Sequence, residues 1–143
     1  MKITRLLIAT IVSALIMFGL SYYWHGVLLN DLQNINYDKN LFFGLLAVVY
    51  LAVGGALSFV LMLYKPEDNR IMKHTTIGIA TGFVVYLIAF TLGLSFKGSG
   101  LSYAVVDCGW QMVEQATGAF IISFYYRAAH RREKLLAFAD PRD

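Results

Sequence analysis

The chain has 143 residues, the length of one ordinary domain, yet 58% of them are hydrophobic and only 15% charged. That balance excludes an ordinary soluble domain and makes lipid the natural solvent. The single cysteine, Cys108, excludes an internal disulfide and any multi-thiolate metal site, and reads as a small buried apolar side chain.

The charge collects in the first five residues, in Lys65 to Lys73, in the tail after Tyr126 and in two sparse loops, leaving four long apolar runs between them. The first run, 6–24, makes a helix of roughly 28 Å, matching a hydrocarbon core of about 30 Å. A secretory signal would also place Lys2 and Arg5 before an apolar core, but Tyr22, Tyr23, Trp24 and His25 follow the run where a small-x-small cleavage site would stand, so it reads as a retained span. A polar external loop around Asn30 to Asn40 leads to the second span, 41–64. Lys65-Pro66-Glu67-Asp68-Asn69 reads as a cytoplasmic turn, since Pro cannot continue a helix and Asp and Asn favour turns. The third span, 74–96, ends in a flexible Lys97-Gly98-Ser99-Gly100 turn, and the fourth, 102–126, precedes a basic tail, 127–143. The expectation is one all-α transmembrane domain covering 1–143, a four-helix bundle with no attached soluble unit.

Ten of the twelve Lys and Arg residues lie at the chain ends or between the second and third spans; only Lys39 and Lys97 lie on the other side. Cytoplasmic loops hold Lys and Arg in excess, so both termini are expected inside. Tyr22, Tyr23, Trp24, Phe42 and Phe43 then mark the outer boundary and Tyr64, Tyr125 and Tyr126 the inner one. The tail from Arg127 to Lys134 reads as a topology anchor on anionic lipid, with nucleic acid a poor alternative.

In lipid, helices associate through close backbone approach and interhelical hydrogen bonds. Helical periodicity groups Thr10, Ser13, Ala14, Met17 and Ser21 in the first span, Gly44, Ala47, Gly55 and Ser58 in the second, and Gly78, Gly82 and Ala89 in the third, with Gly78 and Gly82 in GxxxG spacing. These faces, with Gly118 in the fourth span, read as packing surfaces within the bundle; a dimer interface would use the same small residues.

The fourth span carries Asp107, Gln111, Glu114, Gly118 and Tyr125 in a stripe of roughly 60°, with Met112, Val113, Ala116, Ala119 and Phe120 on the opposite, lipid-compatible face. Counting from Ser102, Asp107 lies about 8 Å and Glu114 about 18 Å along the helix axis, the latter near the bilayer centre. A carboxyl facing lipid there costs at least about 2.5 kcal/mol, so the stripe must face the bundle interior or water. Three readings stay open. Asp107, Gln111 and Glu114 line a proton, ion or small-solute path; or a protonated Glu114 fastens the bundle by bonding Ser13, Ser58, Thr81 or Tyr86; or the acid receives a basic group from a partner subunit.

His25 ends the first span at about the level of Asp107. It is either a proton-accepting or metal-binding partner of Asp107 at the outer mouth, or a solvated interfacial histidine, and no third metal ligand is evident. Trp24 beside it reads as a membrane anchor and not as part of a binding box. His25, His74 and His130 all fall at or beyond the span boundaries, so no cofactor such as a b-type haem is expected. No phosphate loop, nucleophile elbow, zinc-protease motif or other catalytic constellation is recognisable.

Leu20-Ser21-Tyr22-Tyr23-Trp24-His25-Gly26, together with Gly109-Trp110-Gln111-Met112-Val113-Glu114-Gln115-Ala116-Thr117-Gly118, resembles small bacterial four-helix membrane proteins of unknown function. The resemblance implies the bundle fold and a bacterial inner membrane and supplies no activity, ligand or catalytic residue. The sequence thus leaves two functional classes: a small oligomeric transporter-like protein moving protons, ions or a small solute past Glu114, or an accessory subunit contributing helix contacts to a larger membrane complex.

Overall fold

A computed structural model describes residues 3–30, 32, 38–63, 71–92 and 100–139, and within the last helix the side chains of 136, 137 and 139 are not described. All its regular structure is helical: α1 (Ile3–Tyr22), continued by a π-helical segment Tyr23–Leu28, α2 (Lys39–Met62), α3 (Ile71–Thr91) and α4 (Gly100–Ala139). Three of these, α1 with its π segment, α2 and α3, are long and apolar enough to cross a membrane. α4 is not among them, because Asp107, Gln111, Glu114 and Gln115 dilute its first half and a basic segment forms its second.

The helix ends have local causes. α2 starts where the side chain of Asp38 accepts a hydrogen bond from the Leu41 amide at 2.9 Å, an N-cap that satisfies one of the unpaired first-turn donors. The π segment is followed by Asn30 at φ 57°, a left-handed conformation that asparagine tolerates better than most residues. α4 does not stop at Tyr126 as the sequence suggests. Arg127 to Ala139 holds no proline or glycine and is rich in Ala, Leu, Arg, Lys and Glu, so helix propensity carries the expected tail on as thirteen more helical residues. The Lys65-to-Asn69 turn, Lys97 to Ser99, most of the 30–40 loop and 140–143 lie outside the described residues.

α4 is the hub. It packs against α1, α2 and α3, and α1 also packs on α2, whereas α3 rests on α4 with no substantial contact to α2 among the described residues. Glycines bring α3 and α4 together: a Cβ on Gly78 would lie 2.6 Å from the Gln115 carbonyl oxygen, and one on Gly82 2.5 Å from that of Gln111. Gly118 is covered by the Met17 sulfur of α1. On α2 the close approach falls at Gly54, whose Cβ would meet Ser13 Oγ at 3.1 Å and the Thr10 carbonyl at 3.2 Å; Gly55, the expected packing residue, makes only ordinary contact, and Gly44 faces open space.

The core holds Ala9, Ala14, Met17, Tyr50, Leu57, Leu61, Ala119, Ile122 and Tyr126. Ala119 was expected on a lipid-facing surface, but α3 covers it, and Met112 and Ala116 are half-buried with it; Val113 and Phe120 stay exposed. The interior also encloses Ser13, Ser21, Ser58, His74, Glu114, Gln115 and Ser123, while Leu15, Val48, Leu63, Val105 and Phe124 point outward. Large aliphatics outside, with these polar groups sharing the interior with the apolar core, depart from the arrangement expected of a chain folded in water.

Candidate functional site

Two polar clusters lie along the inner face of α4, two turns apart. The first is assembled by the π segment. The Leu29 amide donates to the Trp24 carbonyl at 2.9 Å, a bond spanning five residues, which widens the helix where α1 meets the start of α4. Such insertions frequently mark functional positions. As a result the consecutive residues Trp24 and His25 both reach one carboxylate oxygen: Trp24 Nε1 donates to Asp107 Oδ1 at 3.3 Å, and His25 Nε2 lies 3.5 Å from the same atom. The His25 and Asp107 side chains are only 15% and 12% exposed, so this pair is shielded and not a solvated interfacial contact. The Trp24 ring stacks on Trp110 of α4 with centroids 4.4 Å apart and planes at 11°. Trp24, expected as an outward anchor, is therefore built into the cluster, because the π turn rotates it inward.

The second cluster centres on Glu114, which is 0% exposed. Gln111 and Gln115 both turn their amide N–H groups to its Oε1, at 3.3 and 3.4 Å. From α2, the Tyr50 hydroxyl comes within interaction range of the same carboxyl, of Gln111 and of Ser21 on α1. In strict hydrogen-bond geometry, Oε2 of Glu114 and Oε1 of Gln115 have no partner among the described residues. Of the partners expected for Glu114, Ser13 and Thr81 bond their own helix carbonyls, at Thr10 and Ile77. The buried Ser58 hydroxyl has no hydrogen-bond partner among the described residues, and Tyr86 stacks with Phe90. Gln115 and Tyr50 take their place. The amide of Gln115 is a residue that the stripe pattern passes over, because it sits on the flank toward α3.

Further along α4, His74 of α3 is buried, with Nδ1 2.7 Å from Ser123 Oγ, whose hydroxyl donates to the Ala119 carbonyl at 2.8 Å. With the hydroxyl proton committed to Ala119, the shortest contact is satisfied by a proton on His74 Nδ1. His74 is buried in the bundle one turn into α3, which begins at Ile71.

Glu114, Gln111 and Asp107 therefore face inward on one helix, His25 meets Asp107, Gly78 and Gly82 sit against α4 backbone, and Gly118 lies under the Met17 side chain. Among the described residues no group of three or more His, Cys, Asp or Glu side chains converges to hold a metal ion. Chemically, the arrangement offers two carboxyls separated by seven residues, about 10 Å of helix, with the Gln111 amide between them. Compared with known proteins, the chain matches no family model, no curated protein and no solved structure.

Proposed function

We propose that the chain is a multi-pass membrane protein of a bacterial inner membrane, with all four helices crossing and both termini cytoplasmic, and that it conducts protons or another small cation along the inner face of α4. Its membrane placement is supported by the outward aliphatic surface, by the Lys and Arg distribution and by the resemblance to small bacterial membrane proteins. Surface threonines fit the same setting: Thr76, Thr91 and Thr117 each return their hydroxyl proton to a carbonyl four residues back, leaving no donor facing lipid.

The observation that carries the conduction reading is the enclosed Glu114 carboxyl. Intramembrane carboxyls are costly and mark ion and proton pathways. Asp107, Gln111, Glu114 and Tyr50 give a succession of groups able to exchange a small charged species without opening a wide channel. A larger solute would have to displace the Trp24–Trp110 stack and the Tyr50 ring, which favours the smallest cargo. The test is proton and cation flux into liposomes that contain only the purified chain, under an imposed gradient and potential. Flux abolished by Glu114→Gln supports the reading; flux equal in the variant and the wild type overturns it.

A second reading, an accessory subunit held by partner helices, is favoured by one feature. An apolar groove of about 460 Å³ runs between α3 and α4, lined by Thr75, Ile79, Gly109, Met112, Val113 and Phe120 among others. In it a Cβ on Gly109 would meet nothing within 4 Å, so a neighbouring helix has room to approach. Absence of flux together with a stable complex extracted in mild detergent supports this reading.

A further inference from the structure

We propose that Glu114 and Gln115 form the core of a binding site for one dehydrated alkali-metal cation. This names the ion at the carboxyl on which the conduction reading rests, but binding itself stands on the geometry of the site.

Two fully enclosed oxygens on consecutive residues, Glu114 Oε2 and Gln115 Oε1, have no hydrogen-bond partner among the described residues. Their orientation is not accidental. Both neighbouring amides spend an N–H on Glu114 Oε1, so that Gln115, with its nitrogen committed there, presents its carbonyl oxygen elsewhere in the same enclosed space. Tyr50 adds a hydroxyl oxygen, and Ser21 another beside it. Beside the two amide N–H groups on Oε1, residues of three helices thus offer oxygens here, the donor type that hard cations take.

Charge selects the valence. One carboxylate neutralises one monovalent ion, so a filled site is neutral in a low-dielectric interior, whereas a divalent ion leaves an uncompensated charge there. Asp107, about 10 Å away along the helix, is felt by Glu114 through space but supplies no oxygen to the site, its carboxylate being engaged by Trp24 and His25. No imidazole or thiol is among the hydrogen-bonding or electrostatic partners of Glu114 in the described residues, so the ligands that many transition metals prefer are not among them. A proton on Oε2 is the competing occupant: it satisfies that oxygen by making it a donor, but it engages at most one acceptor. A cation engages both orphaned oxygens and the hydroxyls together. Proton and cation therefore compete for one carboxyl.

Equilibrium dialysis of the purified full-length chain against radioactive sodium, in choline buffer, tests the site. The expected result is one saturable site per chain, retained in Asp107→Asn, lost in Glu114→Gln, and about tenfold weaker in Tyr50→Phe, the loss of one ligand interaction. Tyr50→Phe keeps the ring and protects the test should Glu114→Gln fail to fold. A second readout is carbodiimide modification of Glu114, located by peptide mass spectrometry, which sodium slows and choline does not. Absence of saturable sodium binding by folded wild type, or equal modification rates in the two salts, overturns the proposal and leaves a proton-only carboxyl. Sodium binding without flux in liposomes keeps the site and removes the conduction reading; proton flux without sodium binding does the reverse.

Discussion

Trp24 and Trp110 lie face to face, 4.4 Å between centroids, and the same Trp24 ring donates its N–H to Asp107. One side chain thus joins the end of α1 to α4 by two interactions of different kind, and the two can be separated by substitution. Trp24→Phe keeps a stacked ring and removes the N–H; Trp24→Ala removes both. The aromatic pair contributes about 0.5–1.5 kcal/mol beyond its buried area. Trp24→Ala is expected to lower the unfolding midpoint in detergent clearly more than Trp24→Phe, and to abolish the excitonic circular dichroism of two stacked indoles. Equal midpoints for the two variants would show that the stack holds nothing.

Glycine substitutions in the α3–α4 seam should divide sharply. Gly78→Ala and Gly82→Ala place a methyl against α4 backbone, which no side-chain rotation relieves, so each is expected to cost about 1–3 kcal/mol. Gly44→Ala and Gly109→Ala meet nothing and should be neutral or slightly stabilising, since alanine favours helix. Reversible unfolding in mixed micelles checks the contrast, and a seam variant as stable as Gly109→Ala would contradict the close approach.

Glu114→Leu leaves the Gln111 and Gln115 amides and the Tyr50 hydroxyl without their shared acceptor, an expected loss of about 1–3 kcal/mol. Glu114→Gln retains an acceptor oxygen of the same size and is expected to fold with much smaller loss. Circular dichroism melts of the two variants decide between a carboxyl that holds the bundle and one whose role lies elsewhere.

The exposed ion pair of Arg5 and Glu133, 2.5 Å between Nη2 and Oε1, ties the start of α1 to the helical extension of α4. The Arg5 hydrogen bond holds the Glu133 carboxyl below its ordinary range. A carboxyl lowered in the folded state contributes stability above its unfolded value, and that contribution disappears as pH falls through the lowered folded value. Arg5→Gln is therefore expected to return the Glu133 titration, followed by carbon NMR of labelled glutamate, to the ordinary range near pH 4.3. Global stability at neutral pH should barely change, because the pair is open to solvent.

Much of the architecture could be read in advance because each apolar run is bounded by charge; helical spacing puts Asp107, Gln111 and Glu114 on one stripe, and the cost of a carboxyl facing lipid turns that stripe inward. Adjacent Gly54 and Gly55 differ by one residue, and periodicity over so mixed a face cannot choose between them. Ala119 shows a deeper limit: where a helix is apolar on two sides, a surface covered by another helix and one covered by lipid have the same composition. The roles of Trp24 and Gln115 were hidden for different reasons. The first depends on an extra residue in a turn, which propensity does not report, and the second on a flank of the stripe that matters only because α3 closes over it.

The unbroken course of α4 also links the two ends of the molecule. Its 40 residues form a rod of about 60 Å with Asp107 near one end and Glu133 near the other. Because every other helix packs on this rod, one continuous helix joins the place where the tryptophans meet to the basic end.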